Sequence, residues 1–145
     1  ITRAVYDRFM DDIQIMSWQA AQHLAYPVRY TVFVQEQGVP EELELDEEDI
    51  TAWHAVLLVD GIAVGTGRLT ASGKIGRLAV LKKHRKRGYG AKLVHSLVNH
   101  GVTNGITNFY LHAQTCAQSF YEKLGFKANG SEFIEAGIMH IRMES

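Results

Sequence analysis

His54-Ala-Val-Leu-Leu-Val59 is an unbroken apolar run, Asp60-Gly61 is a hairpin turn signal, and Ile62 to Leu69 follows as a second run. After a turn at Ser72-Gly73 a third run covers Ile75 to Leu81. Short turns between three such runs predict an antiparallel meander. Upstream, either Val5–Phe9 or Ile13–Met16 supplies a first strand, and the alternation is too short to choose between them. Between Trp18 and about Gln37 the spacing turns helical: Ala21, Leu24 and Ala25 share a face that Val28, Val32 and Phe33 resume. Pro27 predicts a break or kink into two helical pieces, and Gly38-Val-Pro40 predicts their end. Downstream, Leu93, Val94, Leu97, Val98 and Val102 form one apolar helix face, closed by Asn104-Gly105. Ile106 to His112 reads as a further strand. Thr115-Cys-Ala-Gln118 has the spacing of a capping box, and Ala117, Phe120, Tyr121 and Leu124 give the helix after it an apolar face ended by Gly125. Strands from Phe126 and over Ile138–Met143, with a turn near Ala136-Gly137, complete the chain. With no repeat, linker or low-complexity tract, residues 1–145 read as one α+β domain with a mostly antiparallel sheet.

Composition narrows this little. Hydrophobic residues at 46% and charged residues at 21% suit a globular domain, and 145 residues can bury a core without staples. A net charge of −1 makes any basic stretch a local feature and argues against a whole-domain nucleic-acid binder. Cys116 is the single cysteine, which excludes an internal disulfide and suits a reducing compartment. No apolar run reaches the ~18 residues of a membrane span, so the expected location is the cytoplasm. The histidines lack close metal-ligand spacing, and no metal is expected.

Charge is concentrated in two places. Glu41, Glu42, Glu44, Asp46, Glu47, Glu48 and Asp49 crowd one stretch, read either as a solvated loop or as a funnel for a cationic substrate. Lys82-Lys-His-Arg-Lys-Arg87 follows the third strand and runs into Gly88-Tyr-Gly90 at the start of a helix. Strand, glycine-rich basic turn and helix N-terminus in that order make an anion site, because the first helical amides lack internal partners and carry the positive end of the helix dipole. The turn is neither a Walker loop nor a dinucleotide fingerprint, since both Gly88-Tyr-Gly90 and Gly65-Thr-Gly67 lack the third glycine.

The string Arg85-Lys-Arg-Gly88-Tyr-Gly90 resembles the acyl-CoA-binding motif Q/R-x-x-G-x-G/A of the GNAT superfamily of N-acetyltransferases. Gln114-Thr-Cys-Ala117-Gln-Ser-Phe120-Tyr121-Glu-Lys-Leu-Gly125-Phe126 resembles that family's N-x-x-A-x-x-F-Y-x-K-x-G-F segment, with Gln114 in place of Asn. Ala113-Gln114, the ending Gly137-Ile-Met-His140-Ile, and Arg29-Tyr-Thr-Val-Phe33 with Glu36-Gln37-Gly38 are similar to its ElaA-like branch. The resemblance implies a GNAT-type acyl-CoA N-acyltransferase fold, a mixed sheet of about six to seven strands with helices on both faces. It also implies acetyl-CoA as donor, an amine as acceptor, and a monomer or homodimer without nucleic acid or membrane partners. By the same resemblance the pantetheine arm lies along Leu78, Ala79, Val80 and Leu81. The pyrophosphate sits on amides of Arg87, Gly88, Tyr89, Gly90 and Ala91, with Arg85 and Lys86 adding charge. Gln114, Ala117 and Phe120 line the other wall.

Aminolysis of a thioester needs a deprotonated amine, which for a lysine-type amine is uphill by roughly 4–5 kcal/mol at pH 7. It also needs a proton for the leaving thiolate. Tyr121 occupies the family position of the acid. Glu36, Asp46, Glu47, His54, His112 and His140 stay open as bases, with Glu36, Glu47 and His112 in front. Arg29, Phe33, Asp46 and His54 are expected on the substrate side. Cys116 is read as packing. The alternative is a catalytically silent CoA-binding module of the same fold, to which the Gln114 substitution points.

Overall fold

The computed structural model describes residues 11–145. Strand β1 covers Asp11–Ser17, so Ile13–Met16 is a strand, while Val5–Phe9 lies outside the described residues. Helix α1 (Trp18–Arg29) starts on Ser17, whose Oγ accepts from the Ala20 amide at 3.5 Å. A π-helix (Tyr30–Glu36) continues it, followed by the short helices α2 (Glu41–Glu44) and α3 (Glu48–Thr51). The meander is β2 (Trp53–Val59), β3 (Ile62–Leu69) and β4 (Lys74–Val80). A 3₁₀ turn (Lys82–His84), α4 (Tyr89–Thr103), β5 (Tyr110–Gln114), a second 3₁₀ turn (Thr115–Ala117) and α5 (Gln118–Lys123) follow. Last come β6 (Lys127–Ala128), β7 (Phe133–Glu135) and β8 (Ile138–Glu144).

Among the described residues the eight strands form one sheet in the order β1-β2-β3-β4-β5-β8-β6, with β7 also on β8. Every pairing is antiparallel except β4 with β5, which α4 connects. Strand alternation divides the core between the faces. Ala55 and Leu57 meet Leu93, Val94 and Leu97 of α4 on one side, whereas Val56 and Ala79 meet Ala21, Ala25, Val28 and Val32 of α1 and the π-helix on the other. Among the described residues no helix is long and apolar enough to cross a membrane.

Five expectations are corrected. Pro27 does not break α1: it removes one helical donor, and a helix seated on the sheet through Ala25 and Val28 tolerates that loss. The disturbance comes later, as a widened π turn in which the Gln37 amide reaches the Val32 carbonyl at 3.1 Å. The strand expected from Ile106 starts only at Tyr110, and Thr115 opens a 3₁₀ turn without a side-chain cap. The acidic stretch is only partly solvated, for Glu44 and Asp49 are buried. Cys116 is exposed and fills no core position.

Candidate active site

Parallel neighbours β4 and β5 pair only at Lys74 with Tyr110 and Ile75 with Leu111, then separate. The cause lies in β4. Thr66 faces Ala79 and Arg68 faces Gly76, so β4 holds one residue more than β3 across that interval, and Arg77 within it has φ 47°. Such a bulge bends its strand and raises the local twist. A non-glycine residue held in that region costs about 1–3 kcal/mol. Arg77 is fastened there by its side chain: Nε donates to the Glu44 carbonyl at 3.0 Å, and Nη2 donates to the Leu43 carbonyl at 3.2 Å and to Asp46 Oδ2 at 3.1 Å.

Past the bulge, the Leu81 amide donates to the Val64 carbonyl at 2.9 Å. Backbone groups of successive strand residues point to opposite edges, so the Val80 N–H and C=O are directed into the opening beside β5. Arg85 Nε donates to that carbonyl at 2.9 Å. The opening is a cleft of about 890 Å³ running from Lys74, His112, Glu135 and His140, past Leu78, Val80 and Tyr121, to Lys86, Gly88, Tyr89 and Gly90.

At that last end α4 begins on Gly88, with φ 81° and no side-chain cap, so its first amides are unpaired within the helix. Gly90 answers a different need. A Cβ there would lie 3.1 Å from Phe120 Cζ, so its bare backbone lets α4 and α5 close on each other.

Most sequence-predicted donor-site residues are brought together. Leu78, Ala79, Val80, Arg85, Lys86, Gly88, Tyr89, Gly90, Gln114, Ala117 and Phe120 line the cleft, as do Tyr121, His112, Phe33 and Asp46. Leu81 packs into the core, Arg87 lies exposed beside the turn, and Ala91 is in the first turn of α4. Two members do something unforeseen. Arg85 forms a double hydrogen bond with Glu36, at 2.6 and 2.7 Å, so its guanidinium braces the π-helix against the end of β4. Gln114 Nε2 donates to Gln37 Oε1 at 2.8 Å, tying β5 to the same helix. The Arg85 hydrogen bond also holds the Glu36 carboxyl below the usual range, a poor property in a base.

The substrate-side expectations for Arg29 and His54 are corrected. Arg29 is fully buried, donating to Glu44 and to both oxygens of Asp49 at 2.8 and 3.1 Å. His54 is buried with Nε2 2.9 Å from the Asp49 carbonyl and its ring against Trp18, and burial pushes its pKa down. Arg68 joins the cluster through Asp46 at 2.7 Å and Asp49 at 3.0 Å. These groups form a brace behind the cleft, for which Arg68, the one charged residue of β3, was the local sign. Glu47 is exposed and outside the cleft.

Tyr121 makes no side-chain hydrogen bond among the described residues, and desolvation pushes its pKa up to about 12. It therefore stays protonated at neutral pH. Sequence reasoning missed Glu135, whose Oε1 lies 3.0 Å from His112 Nδ1 and whose Oε2 lies 3.9 Å from His140 Nε2. The Ala136-Gly137 turn was the available signal, since it sets Glu135 opposite Ile138 on β8.

Comparison with known proteins gives a consistent result. Residues 17–145 match the family described as an acetyltransferase (GNAT) domain. The uncharacterized N-acetyltransferase YjcF of Bacillus subtilis is 40% identical over 123 residues, covering 82% of this chain and 88% of the relative. The uncharacterized protein YyaT of the same organism is 37% identical over 138 residues, covering 91% and 93%. Among solved structures, Escherichia coli ElaA has a TM-score of 0.83 at 25% identity, covering 93% of this chain and 99% of that one. An acyl-CoA N-acyltransferase from Pseudomonas aeruginosa has a TM-score of 0.84 at 26% identity, with the same coverage of 93% and 99%.

Proposed function

The chain belongs to the GNAT acetyltransferase family, and from that premise we propose that it transfers an acetyl group from acetyl-CoA directly to a primary amine, both substrates being bound together. The observation that carries this reading is the separation of β4 from β5, which leaves strand backbone facing a cleft that ends at the uncapped start of α4.

The pantetheine arm hydrogen-bonds along Leu78–Leu81. The pyrophosphate takes the amides of Arg87–Ala91, with Lys86 and Arg87 supplying exposed positive charge. Ala117 and Phe120 form the facing wall. Arg85 supports this site from behind through Glu36 and Val80 rather than by touching phosphate.

The acceptor ammonium gives up a proton, and the neutral amine attacks the thioester carbonyl, forming C–N. The Val80 N–H stabilises the oxyanion, and collapse breaks C–S. Tyr121 protonates the departing thiolate and recovers a proton as the new amide nitrogen sheds its second one. Net products are the acetamide, CoA thiol and one proton. Holding amine and thioester together supplies much of the rate, since effective molarities reach about 10⁵–10⁸ M.

Calorimetry with acetyl-CoA, followed by thiol release across a panel of small-molecule and peptide amines, tests the reading. Saturable binding with amine-dependent release is expected. Binding with no release for any amine would reduce the protein to a CoA-binding module, and absence of binding would overturn the cofactor assignment.

A further inference from the structure

We propose that His112 removes the acceptor's proton and that Glu135, on the β7–β8 hairpin, is the positioning residue that holds it ready; this rests on the transferase reading above. An ionised carboxylate only accepts hydrogen bonds, so the 3.0 Å contact places a proton on His112 Nδ1. The lone pair of the neutral ring is then on Nε2, which has no protein partner among the described residues and is not buried. Phe133 packs edge-on against the ring at 5.0 Å between centroids, fixing its plane.

The competing groups are occupied or misplaced. Glu36 is bound to Arg85, and Asp46 to both Arg68 and Arg77. His54 lies in the buried brace and Glu47 outside the cleft. His140 places Nδ1 2.7 Å from the Ile138 carbonyl and turns Nε2 toward Glu135. His112 alone among these candidates combines a free basic nitrogen, a position in the cleft and a carboxylate behind it. When His112 takes the proton, Glu135 faces the resulting imidazolium and stabilises it. Other charged or titratable neighbours are Tyr110 on the same strand, Lys74 on β4, and His140 and Arg142 on β8. Arg142 lies over the Tyr110 ring at 4.2 Å and bonds to Glu144 at 3.0 Å.

His112→Gln and Glu135→Gln test this through pH profiles of amine turnover and through imidazole ¹⁵N NMR. His112→Gln is expected to lower kcat by about 10²-fold or more without changing the KM for acetyl-CoA. It should also replace the histidine's acidic limb with one that follows the acceptor amine's own pKa, and an acceptor amine of low pKa should recover most of the lost rate. Glu135→Gln should shift that limb to lower pH, because loss of the negative charge favours the neutral ring, and should turn the single Nδ1–H tautomer into a mixture. An unchanged profile in His112→Gln overturns the base. An unchanged limb and tautomer in Glu135→Gln overturn the positioning role. Wild-type protein that binds acetyl-CoA yet acetylates no amine overturns the transferase reading and the base with it; the NMR result then bears on the His112–Glu135 geometry alone.

Discussion

Tyr121 illustrates how a residue already marked by its motif gains chemical content from its surroundings. Desolvation raises its pKa to about 12, so the phenol remains a proton donor until the pH rises toward that value. Tyr121→Phe should lower kcat by about 10²-fold or more while leaving acetyl-CoA affinity unchanged. In the wild type, no basic limb from this group should appear below about pH 10, as steady-state rates against pH can check. The two glycines separate in the same way. Gly88 is required by its left-handed backbone, and Gly88→Val should destabilise the protein by about 1–2 kcal/mol in urea unfolding. Gly90 is favoured by the nearness of Phe120, so Gly90→Val, larger than the Ala that the motif admits, should weaken acetyl-CoA binding and Phe120→Leu in the same chain should restore part of it, measured by calorimetry.

Among the elements, the run from Glu41 to Asp49 is the one whose meaning changed most. It folds into two short helices that turn Glu44 and Asp49 inward onto Arg29 and Arg68. Burial alone would raise the Asp49 pKa, but the hydrogen bond and charge of Arg29 outweigh it and hold it at about 2. A carboxylate depressed from 3.8 to about 2 contributes stability that is full above its unfolded value and is lost as pH falls through its folded one. The contribution is about 2 kcal/mol, so Asp49→Asn should flatten the acid limb of stability between roughly pH 4 and 2. Arg29→Met leaves two buried carboxylates without their main cation and should cost about 3–5 kcal/mol in chemical unfolding. It should also reduce turnover, because the Glu44 carbonyl that it helps to place is one of the acceptors that fasten Arg77 in the bulge. Apart from the charge of Arg68 within β3, none of this was legible locally. Arg29 lies 15 and 20 residues from its two carboxylates, and spacing says nothing about pairs that far apart.

At the scale of the molecule, the cleft belongs to no single element. The π-helix, α2, β4, β5, α4, α5 and the β7–β8 hairpin each contribute to it. A ligand that bridges so many parts should stabilise the whole chain. At acetyl-CoA concentrations about 100 times Kd the gain is about 2.7 kcal/mol. For a domain of this size that is a melting shift of roughly 5–10 °C. A thermal-shift titration checks this, and an unchanged Tm at high acetyl-CoA would contradict the proposed donor site.

Local order along the chain was sufficient for the meander, for α4 with its glycine start, and for the segment carrying Gln114, Ala117, Phe120 and Tyr121. Each depends on contacts or backbone preferences within a few residues, which periodicity and turn chemistry express directly. The motifs that carry the family resemblance were legible for that reason, and the resemblance in turn implied the mixed sheet. Tertiary structure alone decided that β4 would bulge at Arg77 and part from β5, that Arg29 and His54 would be buried rather than substrate-facing, and that Glu135 would stand behind His112. Those outcomes depend on register and on charge pairs that only chain folding brings together, where burial makes each unpaired group too costly to leave alone. The strand before the basic turn and the turn itself could be named in advance. The opening that makes them a site could not.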